Sequence, residues 1–99
     1  MLKHIVVWRV KDLPGRTKQQ TAEAMQEEFK SLPGIIPGLL RIEIGIDLSR
    51  SDASCDVALY SEFESRAALD AYQEHPAHKA LLPFIREAVT ERRLIDYEV

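Results

Sequence analysis

The nine residues Leu2-Lys-His-Ile-Val-Val-Trp-Arg-Val10 constrain the fold more than any other stretch of the chain. Strand alternation puts Leu2, His4, Val6, Trp8 and Val10 on one face and Lys3, Ile5, Val7 and Arg9 on the other. Both faces are apolar in the middle, so both need cover, and helices laid on one side of a sheet hide only one of them. The segment Cys55–Phe63 repeats the pattern, with Val57, Leu59 and Phe63 pointing one way and Ala58 and Tyr60 the other. A bare apolar patch on the second face is of a kind that monomers rarely carry. The two strands therefore predict a second copy of the chain, packed sheet to sheet in a symmetric homodimer. A monomer with a partly apolar open face is the competing reading.

The rest of the chain supplies the helices for the first face. Thr17 and Gln20 fit a capping box, and the helix that follows puts Ala22, Met25, Phe29 and Leu32 on one side. Pro33-Gly34 closes it and Pro37-Gly38 makes a turn. Leu40, Ile42, Ile44 and Ile46 alternate with Arg41, Glu43 and Gly45 as a half-buried strand, and Leu48–Ser54 is a polar loop. Ser65–Tyr72 reads as a helix with Ala68, Leu69 and Tyr72 on one face. A second helix opens at Pro76, where a missing N–H costs nothing, and carries His78, Leu81, Leu82, Ile85 and Val89 on its apolar stripe. Pro83 lacks the N–H that would reach the Lys79 carbonyl, which predicts a kink or a restart. Arg92–Glu98 is the last strand. The order β-α-β-β-α-α-β predicts an α+β, ferredoxin-like layer with a four-stranded antiparallel sheet, in one domain spanning residues 1–99.

Charge excludes some partners. Thirteen Lys and Arg stand against 16 Asp and Glu, a net charge of -3, which gives no reason to expect nucleic acid or an anionic membrane surface. Glu27-Glu28 and Arg92-Arg93 read as solvated pairs. No apolar run approaches the roughly 20 residues of a membrane span, and the N-terminus shows no signal-peptide pattern, so a soluble, cytoplasmic protein is expected. Cys55 is alone, which leaves no disulfide within the chain and no cysteine metal cluster.

The chemistry concentrates in Tyr72-Gln-Glu-His-Pro-Ala-His78. Tyr72 and His78 both fall on inward faces. A helix N-terminus and burial each hold an inward imidazole neutral, and a neutral imidazole accepts a proton near pH 7. The Tyr72 hydroxyl, with an ordinary pKa of about 10, stays protonated and can donate to a developing oxyanion. His4, on the same strand face as Val6 and Trp8, adds a second polar group to an otherwise apolar lining. Equally consistent with these residues is a structural pair, the Tyr72 ring packed in the core with its hydroxyl satisfied by His78 or a carbonyl. His75 precedes Pro76 and is expected to point outward. His75 and His78 are three apart, but Pro76 intervenes and no third ligand stands nearby, so no metal and no cofactor is expected.

Three segments carry a family likeness: Leu2–Asp12, Phe63–His78 with its His75-Pro-Ala-His78 element, and Ile95-Asp-Tyr97. In these the chain resembles the stress-responsive dimeric α/β-barrel (Dabb) family, which includes plant polyketide cyclases of the olivetolic acid cyclase type. The resemblance implies the ferredoxin-like layer paired into a homodimeric barrel. It also implies a small soluble stress-response protein with an interior pocket for a small apolar or aromatic ligand. The alternative it implies is a cofactor-independent lyase or cyclase of aldol type, using Tyr72 and His78, with His4 as a further candidate and Val6 and Trp8 lining the pocket. Trp8 departs from the cyclase pattern, since an indole there fills volume that a long polyketide chain needs.

Overall fold

The computed structural model describes residues 1–99. Four strands, β1 (Leu2–Val10), β2 (Leu39–Ile46), β3 (Val57–Phe63) and β4 (Val89–Glu98), form one antiparallel sheet in the order β2-β3-β1-β4. Helices α1 (Lys18–Phe29), α2 (Arg66–Glu74), α3 (Pro76–Lys79) and α4 (Leu82–Ala88) lie between the strands in sequence. They close over the face that carries Val6, Trp8, Leu59 and Phe63, and these residues join Met25, Phe29, Leu69 and Tyr72 in one buried cluster. Burying each of the larger side chains contributes about 2 kcal/mol. This is the α+β, ferredoxin-like arrangement that the element order predicts. It puts β1 between β3 and β4, with its Val6 and Trp8 face under the helices.

The helix starts follow from local chemistry. Thr17 Oγ1 accepts from Gln20 N at 3.1 Å while Gln20 Oε1 accepts from Thr17 N at 2.9 Å, a complete capping box for α1. Ser65 Oγ accepts from Ala68 N at 3.1 Å and starts α2. Between them, Gly38 is held at φ +81°, and a Cβ there would meet Ala68 Cβ at 2.6 Å, so only glycine lets β2 approach α2.

Several local expectations are corrected. Leu40 is 54% exposed, and Leu39 takes the buried place. The β2–β3 register slips there, with Leu39 opposite Phe63 and Arg41 opposite Glu62, so Leu40 is the extra residue of a bulge. From Ile42 onward the alternation is as expected. The helix breaks as Pro83 predicts, with α3 a single turn and α4 restarting with Pro83 in its first turn, but Val89 lies outside it and already belongs to β4. A proline is tolerated in a first turn because the N–H it lacks would have no partner there. The strands β3 and β4 begin at Val57 and Val89 rather than at Cys55 and Arg92.

The face without helices carries Ile5, Val7, Ala58 and Tyr60, all half-buried, and Ile95, 58% exposed. Charged groups frame this strip; Lys3 and Arg41 each lie 5.7 Å from the centre of the Tyr60 ring. β4 forms one margin of the sheet. No helix is long and apolar enough to cross a membrane.

Candidate functional site

A cavity of about 390 Å³ lies between the helices and the sheet. Val6, Trp8 and Leu59 form its floor, and Tyr72, His78, Leu81 and Ile85 stand around it. Gln73, Arg86 and Arg92 are the exposed members of its lining and mark its mouth. Its size and its apolar walls with a few polar groups are those of a small-molecule pocket. The candidates Tyr72, His78, His4, Val6 and Trp8 all line it. Trp8 does not close it: the indole packs 6.1 Å, centre to centre, from the Phe29 ring and leaves space open toward Tyr72.

Tyr72 is 1% exposed, with its ring 5.0 Å from Phe63 and 4.4 Å from His78. The contact with His78 is ring against ring at an interplanar angle of 48°, so the hydrogen-bonded pair of the structural reading is not formed. Burial pushes the Tyr72 hydroxyl well above its ordinary pKa, with Arg92 opposing, and it keeps its proton at any physiological pH. His78 is half-buried rather than deep in the core, and its Nδ1 is buried without a hydrogen-bond partner. Burial lowers its pKa below 6.5; the Gln73 carbonyl raises it, and His4 and Arg92 lower it further. The helix-end argument for its neutrality falls away, because α3 is one turn long and His78 sits in that turn's C-terminal half. Burial alone is the leading cause.

His4 is the most constrained of the candidates. It is 3% exposed, and the β1–β4 register sets Asp96 directly opposite. Its Nδ1 bonds Asp96 Oδ1, and Ser61 Oγ donates to the His4 carbonyl at 2.8 Å. A neutral imidazole that gives its Nδ1–H to a carboxylate carries its lone pair on Nε2, with the ring held in place. The His4 ring lies 6.4 Å from that of Tyr72. Together these set an imidazole bonded to a carboxylate, a phenol and a second imidazole beside one apolar space.

His75 plays a different part. Its Nδ1 accepts from Ala77 N at 3.0 Å and caps α3. No three His, Cys, Asp or Glu side chains gather in a geometry that could hold a metal ion.

Comparison with known proteins agrees with this architecture. The family model described as the stress responsive A/B barrel domain matches residues 2–99. The chain belongs to the stress-responsive A/B barrel family. An uncharacterised protein of Streptomyces coelicolor is 33% identical to it over 98 residues, 99% of either chain. Among solved structures, the chain is similar to a dimeric protein of unknown function and ferredoxin-like fold from Bacteroides fragilis, with 30% identity and a TM-score of 0.85 over 99% of this chain and 95% of that one. The hydroxynitrile lyase of Passiflora edulis is 23% identical, with a TM-score of 0.75 over 99% of this chain and 92% of the lyase; at that identity the likeness speaks to the fold.

Two features of this A/B barrel chain escape a reading of its sequence. The pairing of His4 with Asp96 spans 92 residues and becomes visible only once the β1–β4 register is known. Arg92 reads as half of a solvated pair with Arg93, yet it lies opposite Trp8 on the helix side of β4 and lines the cavity, while Arg93 turns to the other face. Alternation along Arg92–Glu98 is the signal that separates the two.

Proposed function

We propose that this protein is a homodimeric small-molecule binder that takes a small apolar or aromatic ligand into the cavity between helices and sheet. The observation that carries this reading is a set of polar groups without partners on apolar walls. Trp8 Nε1 and His78 Nδ1 are buried and unbonded, and no internal hydrogen bond raises or lowers the pKa of the Tyr72 hydroxyl. A buried polar group without a partner costs about 1–3 kcal/mol, a cost that a ligand with matching polar atoms relieves. The dimer is supported by the apolar strip of Ile5, Val7 and Ala58 on the face without helices, and by the Bacteroides fragilis relative, which is described as dimeric. Packing sheet to sheet covers that strip and leaves the cavity of each protomer on the outer side. A part in stress responses is what the family's description suggests for its members.

The His4–Asp96 pair favours a second reading, a cofactor-independent lyase or aldol-type cyclase. In it, His4 Nε2 takes a proton from carbon next to a carbonyl, and the Tyr72 hydroxyl donates to the enolate oxygen. Asp96 steadies the imidazolium, and His78, kept neutral, shapes the wall. A base so placed is worth about 10²–10⁴-fold in rate.

One titration tests the first reading. Trp8 is the only tryptophan, so its indole N–H gives a single resonance in a nitrogen-proton correlation spectrum. Small aromatic ketones and alcohols should shift that resonance and raise the melting temperature. If no member of such a panel moves it at millimolar concentration, the binding reading fails. Deuterium uptake next to the carbonyl of a bound ketone, lost in His4→Gln, would promote the second reading over the first.

A further inference from the structure

The charges around the cavity are one-sided. The chain carries a net charge of -3, yet no Asp or Glu belongs to the cavity's lining, while Arg86 and Arg92 both do. None of the chain's ion pairs involves either of them, although Arg9, Arg41 and Arg93 each lie against a glutamate. They come from different elements, Arg86 from the last turn of α4 and Arg92 from β4 opposite Trp8. Both are exposed, so each guanidinium keeps its water while its stem borders the apolar interior. Asp96, which shares the face of β4 that carries Arg92, is turned to His4 and bonded there, and Glu91 lies on the other face. Beyond the two arginines the walls are mostly apolar down to Trp8 and Leu59, with Gln73, Tyr72, His78 and His4 as their polar members.

Two like charges at the mouth of an apolar pocket, each without a partner, repel one another until an anion joins them. Arg is the side chain best shaped for that anion, because its planar fork meets a carboxylate with two parallel hydrogen bonds. We infer that the ligand of this pocket is an amphipathic carboxylic acid, its carboxylate held between Arg86 and Arg92 and its apolar or aromatic body lying against Trp8, Leu59 and Ile85. The inference rests on the small-molecule-binding reading and names the ligand class for that same pocket. It also gives the ligand a direction: the acid group stays at the mouth, and the body reaches inward, where an oxygen on it meets Tyr72 and His78.

The test uses two ligands that differ only in the charged group, phenylbutyrate and phenylbutanol, each titrated into the intact protein and read at the Trp8 indole N–H. At low ionic strength the acid should bind about tenfold more tightly than the alcohol, the advantage of charge-assisted hydrogen bonds at a solvent-exposed site. The advantage should shrink as salt is raised through the range where the Debye length falls to about 8 Å, a readout that needs no variant. In the Arg86→Gln/Arg92→Gln double variant the ratio of the two affinities should collapse to about one, within the same assay. Equal affinities in the unaltered protein, or an advantage that survives the double substitution, overturn the inference while leaving the pocket a binding site for uncharged ligands. A Trp8 resonance that neither ligand moves overturns the binding reading itself, and the inference with it.

Discussion

Replacing Tyr72 with Phe separates a binding group from a structural one, because the change deletes the hydroxyl and keeps the ring. The ring does the packing: it is 1% exposed and lies 5.0 Å from Phe63 and 4.4 Å from His78. Tyr72→Ala should therefore cost about 3–5 kcal/mol, the range for emptying a buried aromatic site. The hydroxyl, by contrast, has burial and Arg92 as the only influences on its ionisation and no internal hydrogen bond to lose. Had it held a typical bond, its removal would cost about 1 kcal/mol, which in a chain of this length lowers the melting temperature by about 4–8 °C. With no bond to break, Tyr72→Phe should move the melting point by less than about 2 °C in either direction. The same variant should weaken an oxygen-bearing ligand by about tenfold, since the donor that meets it is gone. Thermal unfolding followed by circular dichroism measures the first quantity, and the Trp8 titration the second. A melting point lowered by about 5 °C or more together with unaltered ligand affinity would refute the argument and make Tyr72 a structural residue.

Ile5→Glu puts a charge between Tyr60 and Ile95 in the middle of the face without helices. Light scattering should then report a mass of 11.3 kDa in place of twice that value, and a dimer that survives the change would mean the copies meet elsewhere. The lowered pKa of His78 fixes the sign of one pH effect. Below its ordinary 6.5 the unfolded chain binds a proton that the folded chain refuses, so stability falls as pH drops through that value and levels off below the folded pKa. His78→Gln should remove this part of the acid limb between about pH 7.5 and about pH 5.5, and parallel melting curves for the two proteins across that range would contradict it.

The elements were legible wherever one local rule decided them. Thr17 and Gln20 announce α1, Pro83 announces the break before α4, and the alternation of β1 gives its length residue for residue. The same alternation put Val6, Trp8 and His4 on one face, and these residues with Tyr72 and His78 are among those that line the cavity. What could not be read was anything set by pairing between distant strands. The bulge at Leu40 depends on how β2 slides against β3, and propensity is silent on that slide. Asp96 meets His4, and Arg92 reaches the cavity, through the register of β4 on β1. The tilted ring contact of Tyr72 with His78, in place of a hydrogen bond, likewise depends on how the short α3 seats the imidazole, which spacing does not give.

The marginal position of β4 has a consequence for how copies of this chain can add to one another. A ten-residue strand with a free outer row of amides and carbonyls is a template onto which another strand can dock, and repeated docking of that kind has no natural end. Glu91, Arg92, Arg93, Asp96 and Glu98 interrupt the row with charge of both signs, leaving only Leu94-Ile95 as an uncharged pair in its middle. An incoming strand would have to strip water from those groups at almost every step. Growth along the sheet margin is thereby discouraged, whereas contact through the flat of the sheet ends after a single partner has been added. The charges on one strand thus favour a closed pair over a fibre.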